Sequence, residues 1–445
     1  MQSVKGFDEK AFLAAHQQPA VTSVRLHPVK QMHSLEQNEV VPWCAEGRII
    51  PERPVFTLDP AYHAGAYYVQ EASSMLLDYL FRAVYPERDK LRVLDLCAAP
   101  GGKSTLLASS LSGESLLVSN EVIRTRASIL EENMTRWGFM NTWVTSNDPR
   151  DLGKLEGYFD AIVVDAPCSG SGLFRKDERA LEEWSENNVA LCSQRQQRIL
   201  ADVWPALKEE GVLFYATCSY SPEEDEQILD WLADTYEVET LDIQLPDSWR
   251  VVKTYSATGK MAGYRCMPYL VKGEGFFIAA IRKKEETAAL RAPKFKTLHN
   301  KTVQAQTTTL LRPGLDYLCI PGKEEFFAIQ SAHEADFHIL SKAVYLRKTG
   351  VTLGSPAAKE WLPAHELAMS IDIHPDLPKI ELEKEQALRF LKKEDFGADA
   401  ALKGWLLITY KGWGLGWVKS LGNRFNNYLP KHWRIRMDIS DADWA

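Results

Sequence analysis

The chain holds no CxxC pair, although it has seven cysteines: Cys44, Cys97, Cys168, Cys192, Cys218, Cys266 and Cys319. An odd number without paired spacing argues against a disulfide framework or a zinc ribbon, and for a reducing, cytoplasmic setting with no metal. There is no apolar run of membrane length, and Met1–Gln18 lacks the apolar core of a signal peptide, so no membrane association is expected. Internal repeats and low-complexity tracts are missing as well. An overall positive charge is also missing: 52 Lys and Arg stand against 60 Asp and Glu, a formal net charge of −8. The distribution says more than the total. Residues 291–445 carry 22 basic and 18 acidic side chains, or +4, which leaves −12 on residues 1–290. Lys411–Arg436 holds six basic residues and no acidic one. A basic tail on an acidic body is expected to supply contacts to a phosphate backbone.

A chain of 445 residues is long enough for two to four domains. Its organising stretch is Leu91–Ser104, LRVLDLCAAPGGKS. A strand-like run, Val93-Leu94-Asp95-Leu96, enters a loop of small residues, Cys97-Ala98-Ala99-Pro100-Gly101-Gly102-Lys103. Ser104 or Thr105 then stands near the cap of a helix. Strand, glycine turn and helix is how a doubly wound α/β sheet presents a nucleotide-like ligand to backbone N–H groups. The loop is neither GxGxxG nor GxxxxGK[ST]; it is either a cofactor loop of another kind or a plain strand–helix turn.

From there the βα alternation is regular. Strands are expected at Ser115–Asn120, Trp143–Thr145, Phe159–Asp165, Gly211–Thr217 and Gly275–Arg282. Helices are expected at Arg124–Trp137, Asp177–Glu210 with a break near Asn187, and Glu223–Thr235. This alternation implies a parallel sheet with helices on its faces. Phe159–Asp165 is almost wholly apolar, as a strand covered on both sides must be. Residues before about 90 look helical and mixed. Lys283–Lys296 reads as a linker, followed by short strands and turns over Leu310–Leu353, a helix at Lys384–Lys393 and compact β signals from Gly404 to Arg436.

Ligands of open α/β sheets sit past the carboxyl ends of the strands. Glu121 lies 26 positions after Asp95, where an acid can bind ribose hydroxyls, and Asp148 follows the third strand, placed for an adenine amino group. Either acid alone is equally well read as a solvated strand-end carboxylate. Cys168 and Cys218 are sharper. They lie in polar loops, DAPCSGSG and TCSYS, just after strands that are neighbours in the usual doubly wound order, about 4.8 Å apart. The other five cysteines read as small buried hydrophobes.

The series VLDLCAAPGGKS, VSNE, FDAIVVDAPCSGSG, YATCSYSPEEDE and GEGFFIAAIRK resembles the motifs of the Nop/Sun family of S-adenosylmethionine-dependent RNA cytosine-5 methyltransferases, from Gly65 to Lys283. ITYKGWGLGWVKSLGNRFNNYLPKHWRIR resembles the PUA-like tail of that family's bacterial RsmF branch, which modifies 16S ribosomal RNA. The resemblance implies a Rossmann-like class I methyltransferase domain with an N-terminal helical or mixed extension and a C-terminal, mostly β, PUA-like region that binds RNA. The expected boundaries are an RNA-binding extension at 1–90, the methyltransferase domain at 91–283, a linker at 284–300, a β-rich segment at 301–375 and the PUA-like domain at 376–445, in a monomer.

The resemblance also implies the roles. S-adenosylmethionine is held by Cys97, Ala98, Ala99, Pro100, Gly101, Gly102, Lys103, Glu121, Asp148 and Asp165. Cys218 is the nucleophile and Cys168 assists release; Asp165 meets the cytosine amino group or the cofactor's amino-acid end. A thiolate suits this chemistry, because carbon 5 of cytosine is a poor nucleophile until something adds at carbon 6. DNA cytosine-5 methyltransferases place their nucleophile in a Pro-Cys motif, which would select Cys168, but they give no reason for a second cysteine at Cys218. The family's PEEN is Pro222-Glu223-Glu224-Asp225 here, which keeps a polar acceptor. In the tail, Lys411, Lys419, Arg424, Lys431, Arg434 and Arg436 are candidates for phosphate contact. Trp413, Trp417, Tyr428 and Trp433 either stack on bases or fill a small barrel core. A transfer-RNA methyltransferase and a non-catalytic assembly factor are the rival readings.

Overall fold

The computed structural model describes residues 7–31, 33–288, 290, 294–296, 300–357, 360–397 and 402–439. Much of the expected linker, at 289, 291–293 and 297–299, lies outside them. Strands β1 (Thr22–Leu26), β2 (Glu39–Val41), β3 (Cys44–Ile50) and β4 (Tyr67–Val69) form an antiparallel sheet in the order β2-β3-β1-β4. The mixed N-terminal segment is therefore built on a sheet, with short helices such as Glu9–His16 around it.

The central sheet contains β5 (Arg92–Asp95), β6 (Leu116–Asn120), β7 (Thr142–Thr145), β8 (Phe159–Asp165), β9 (Leu207–Thr217), β10 (Val238–Thr240), β11 (Val252–Tyr255), β12 (Ala262–Cys266) and β13 (Phe276–Lys283). Its order is β11-β12-β13-β9-β8-β5-β6-β7, with β10 also paired to β13. Strands β5 to β9 run parallel, and β13 pairs antiparallel with β9. The chain moves outward from β5 through β6 to β7, then returns to β8 on the other side of β5. That reversal is the switch point of a doubly wound sheet.

Alternation along the strands sorts the side chains into two cores. Val93, Leu117, Val163 and Phe214 face one way, onto helices Leu76–Val84, Gly102–Ser110 and Arg124–Trp137. Leu94, Val118, Ile162 and Leu213 face the other, onto helices Glu186–Val203 and Glu226–Thr235. The expected helix Asp177–Glu210 is two helices, Glu178–Glu183 and Glu186–Val203, and its end is strand. β9 starts at Leu207 and carries half-buried Lys208, paired with Asp160, and exposed Glu209 and Glu210 before its buried run begins at Gly211.

Beyond the linker, β14 (Tyr317–Pro321), β15 (Phe326–Gln330), β17 (Val351–Pro356) and β18 (Trp361–Pro363) make a third sheet. β16 (Leu346–Lys348) leaves that segment and pairs antiparallel with β7, so it closes what would be an open edge of the central sheet. The tail sheet is β19 (Lys379–Glu381), β20 (Gly404–Tyr410), β21 (Trp413–Ser420) and β22 (Phe425–Asn427), packed under helix Lys384–Lys392. Buried Lys30 joins three parts of the molecule. Its Nζ donates to the carbonyls of Ala64 at 2.9 Å, Arg136 at 2.8 Å and Met369 at 2.8 Å. Burial, and then Arg136, bring its pKa down to about 7.

Candidate active site

The loop after β5 sits at the switch point. Gly101 has φ +116°, a left-handed conformation that suits glycine, and it caps helix Gly102–Ser110 without a side-chain bond. The expected cap at Ser104 or Thr105 is therefore displaced. Both lie inside the first turn, where Ser104 Oγ donates to Asp95 Oδ2 at 2.6 Å and Thr105 Oγ1 donates back to the Gly101 carbonyl at 2.8 Å. The first N–H groups of that helix are left for a ligand. Arg126 holds the Ala99 carbonyl at 2.7 Å and Asn133 that of Pro100, also at 2.7 Å, which fixes the loop from the neighbouring helix.

Two clefts meet at this loop, and Cys97 lines both. One, of about 290 Å³, is lined by Asp95, Cys97, Ala98, Ala99, Pro100, Gly102, Lys103, Asp165 and Cys218. Tyr68, Gln70, Glu71 and Ser74 from the N-terminal region, with Phe276, complete it. The sequence reading missed these residues as site members, although Tyr68-Val69-Gln70-Glu71 repeats the pattern of a strand entering a turn and a helix. The second cleft, of about 360 Å³, has Glu121, Val122, Ile123, Arg126 and Pro149 on its walls. Glu121 is buried; it accepts the Ile123 N–H at 2.9 Å and lies 3.5 Å from Arg126. Asp148 lines neither cleft. Its carboxylate caps helix Pro149–Gly153, accepting the Arg150 N–H.

Lys103 Nζ lies 2.7 Å from Asp165 Oδ2. Burial pulls the lysine down, but Asp165, followed by Asp95 and Cys218, outweighs it and holds the ammonium above its ordinary range. Burial raises Asp95 to about 7, against the Ser104 hydrogen bond and the Lys103 charge. One of its oxygens, Oδ1, is buried and has no partner in the protein.

Cys168 Sγ and Cys218 Sγ stand 3.2 Å apart. The loops that carry them are tied together: Gly172 N donates to the Cys218 carbonyl at 2.8 Å, and Tyr220 N donates to Ser171 Oγ at 2.8 Å. The Cys168 thiol is pushed well up, first by its hydrogen bond with Cys218, then by burial and by the charges of Cys218 and Glu224. Asp225, at the family's Asn position, is buried against Arg265 at 2.8 Å. Burial raises it to about 8, against the arginine's pull. It supports β12 and β9 and does not face the cleft.

In the tail, Lys411, Arg424, Lys431, Arg434 and Arg436 are exposed, and Lys419 is ion-paired with Glu360. Trp417 is buried and donates to the Ala364 carbonyl, while Trp413 and Trp433 pack on the tail core. Only Tyr428 of the four aromatics is exposed.

The switch-point loop, the strand-end acids and the sheet order define a Rossmann-like methyltransferase. The family model "16S rRNA methyltransferase RsmB/F" matches residues 83–282, that of the N-terminal domain of 16S rRNA methyltransferase RsmF matches 1–72, and that of the methyltransferase RsmF PUA domain matches 377–435. The chain is 34% identical to ribosomal RNA small subunit methyltransferase F of Psychromonas ingrahamii, over 94% of this chain and 92% of that one. It is 32% identical to the protein of the same name in Aliivibrio fischeri, over 97% and 94%. The chain belongs to the RsmF family. Among solved structures, a methyltransferase homologue from Pyrococcus horikoshii superimposes with a TM-score of 0.53 at 27% identity, covering 63% of this chain and 92% of that one. NSun6 of the same organism, solved with SFG, shares the fold at a TM-score of 0.52 and 18% identity, covering 62% and 94%.

Proposed function

We propose that this chain transfers a methyl group from S-adenosylmethionine to carbon 5 of a cytosine in 16S ribosomal RNA, through a covalent Cys218–cytosine adduct, in the cytoplasm. The observation that carries this is the pair of sulfurs 3.2 Å apart, from two loops, beside a cleft that also holds Lys103 and Asp165.

The residues fit the methyl donor. The unpartnered Asp95 Oδ1, the Ala98–Gly102 backbone and the free helix N–H groups suit its methionyl end, and Glu121 suits its ribose. When bound, the donor supplies a methyl made electrophilic by a sulfonium. Cys218 forms a bond to carbon 6 and pushes the ring electrons onto carbon 5, which becomes the nucleophile. After methylation, a solvent water takes the carbon 5 proton, the electrons of that bond re-form the carbon 5–carbon 6 double bond, and Cys218 leaves with the electrons of its bond to carbon 6. Cys168, in contact with the Cys218 sulfur, assists that release. Asp165 orients the cytosine amino group, with Lys103 holding the carboxylate in place.

The target base must leave its stack, at a cost of a few kcal/mol, and the exposed tail cations offset that cost by gripping phosphates. Bisulfite sequencing of ribosomal and transfer RNA from a deletion strain tests the assignment. One 16S cytosine or more is expected to lose methylation. Loss confined to transfer RNA would redirect the substrate, and no loss anywhere would leave a non-catalytic RNA-binding protein.

A further inference from the structure

Glu224 is fully buried, yet among the described residues no basic side chain forms an ion pair with it. Its charge is met by hydrogen bonds instead. Oε1 accepts the Ser169 N–H at 2.7 Å, and Oε2 accepts Ser169 Oγ at 2.6 Å and Ser219 Oγ at 2.5 Å. Gln196 Nε2, from the helix behind, lies 3.4 Å from Oε1. Ser169 is the residue after Cys168 and Ser219 the residue after Cys218. One carboxylate thus holds the loop after β8 to the loop after β9 by the residues next to the two sulfurs. Its position is fixed in turn: its own carbonyl accepts Tyr215 Oη at 2.6 Å, and its N–H donates to the Ser221 carbonyl at 3.0 Å.

The charges around the two sulfurs are unlike. Cys168 is faced by Cys218 from the β9 loop, by the Glu224 carboxylate from the turn beyond it and by Tyr215 from β9 itself, with a Gly170 N–H opposing them. Cys218 lines the cleft that holds Lys103 and Asp165, and Lys103 is the cation that senses it. The Glu224 carboxylate is thus a neighbour of Cys168, while Cys218 shares its cleft with the Lys103–Asp165 ion pair.

We infer that Glu224 is a positioning residue for methyl transfer: it clamps the two cysteine loops at a fixed separation by the residues next to the sulfurs, and places its negative charge on the Cys168 side of the pair. This rests on the proposed division of labour between the cysteines. It explains how two sulfurs in contact avoid competing for the same carbon. The requirement is for an anion whose two oxygens accept four hydrogen bonds; glutamine keeps the shape, but it loses the charge and turns one acceptor atom into a donor.

The test compares iodoacetamide alkylation of Cys168 across pH, read by peptide mass, in Cys218→Ala and in Cys218→Ala with Glu224→Gln. Loss of the charge is expected to move Cys168 alkylation to lower pH and to speed it about tenfold near neutral pH. In the otherwise native enzyme, Glu224→Gln is expected to lower kcat about tenfold or more, with KM for the methyl donor within about twofold. A second variant, Ser169→Ala with Ser219→Ala, keeps the charge and removes two donors. It is expected to lower kcat without speeding Cys168. An unchanged Cys168 profile in Glu224→Gln overturns the inference, as does equal acceleration in the serine variant, which would mean simple loosening. Should Glu224→Gln not fold, the serine variant decides by the same two readouts. Full methyl transfer by Cys218→Ala alone would instead sink the nucleophile assignment and leave the alkylation result standing.

Discussion

Lys103 and Asp165 meet across the switch point, 2.7 Å apart, one from the first turn of helix Gly102–Ser110 and the other from the end of β8. The lysine side chain is only 11% exposed and the carboxylate 38%, so water reaches the carboxylate more freely than the ammonium. An ammonium so placed has few other partners, and its field is stronger than at a free surface. Lys103→Met removes the cation from the Cys218 cleft and frees Asp165 to turn away. It is expected to lower kcat/KM about 100-fold on an RNA transcript, with the fold intact by circular dichroism.

The roles proposed for Cys168 and Cys218, whose sulfurs stand 3.2 Å apart, predict opposite phenotypes for the two cysteines. Cys218→Ala removes the bond-forming sulfur and is expected to abolish transfer. Cys168→Ala keeps that sulfur and loses the group beside it at the release step. It is expected to accumulate an RNA-linked protein that survives denaturant and runs as a shifted band. The double variant is expected to show neither activity nor shifted band. A shifted band in Cys218→Ala would reverse the two roles.

Asp95 makes stability depend on pH in a stated direction. Burial raises its pKa from 3.8 to about 7, so the folded chain binds this proton more tightly than the unfolded chain. The stability it contributes is complete below its unfolded value and is lost as pH climbs to about 7. An asparagine side chain in its place does not titrate. Asp95→Asn is therefore expected to gain stability relative to the parent as pH rises over that range, with no further gain above it. Urea unfolding of both proteins at about pH 5 and about pH 8 measures this. The same variant is expected to bind the methyl donor more weakly, because an amide replaces the charge at the cleft.

Local rules made much of the fold legible. Phe159–Asp165 is a strand over the expected residues because an apolar run of that length, ending in an acid, suits a strand covered on both faces. Cys168 and Cys218 were legible as a pair because the strands before them had to be neighbours. What escaped was set by distant partners. Nothing near Leu346 announces that it pairs with Thr145 at the far edge of another sheet. Asp148 was legible as a strand-end acid, but not that Pro149 starts a helix which its carboxylate caps. Glu224 stood in the Pro222-Glu223-Glu224-Asp225 turn without a role of its own; only the folded chain brings Ser169 beside it.

The tail separates residues that hold it together from exposed residues that the proposed function assigns to RNA. Trp417 is 3% exposed and its indole N–H is spent on the Ala364 carbonyl, so its ring faces protein on every side. Trp417→Ala is expected to cost about 3–5 kcal/mol of stability and to lower the melting temperature. Tyr428 is 48% exposed and edges against Trp405 with ring centroids 4.4 Å apart, which holds the phenol upright with its outer face free. Tyr428→Ala is expected to weaken RNA binding by about 1–3 kcal/mol at an unchanged melting temperature. Lys431→Ala with Arg434→Ala removes two exposed cations from the same stretch of chain. For every phosphate that is no longer gripped, the plot of log affinity against log salt is expected to flatten by about 0.7–0.9. Fluorescence anisotropy with a 16S fragment at several salt concentrations reads both effects. A slope that does not move would assign these cations to solvent, and the grip on RNA would then belong to another face of the molecule.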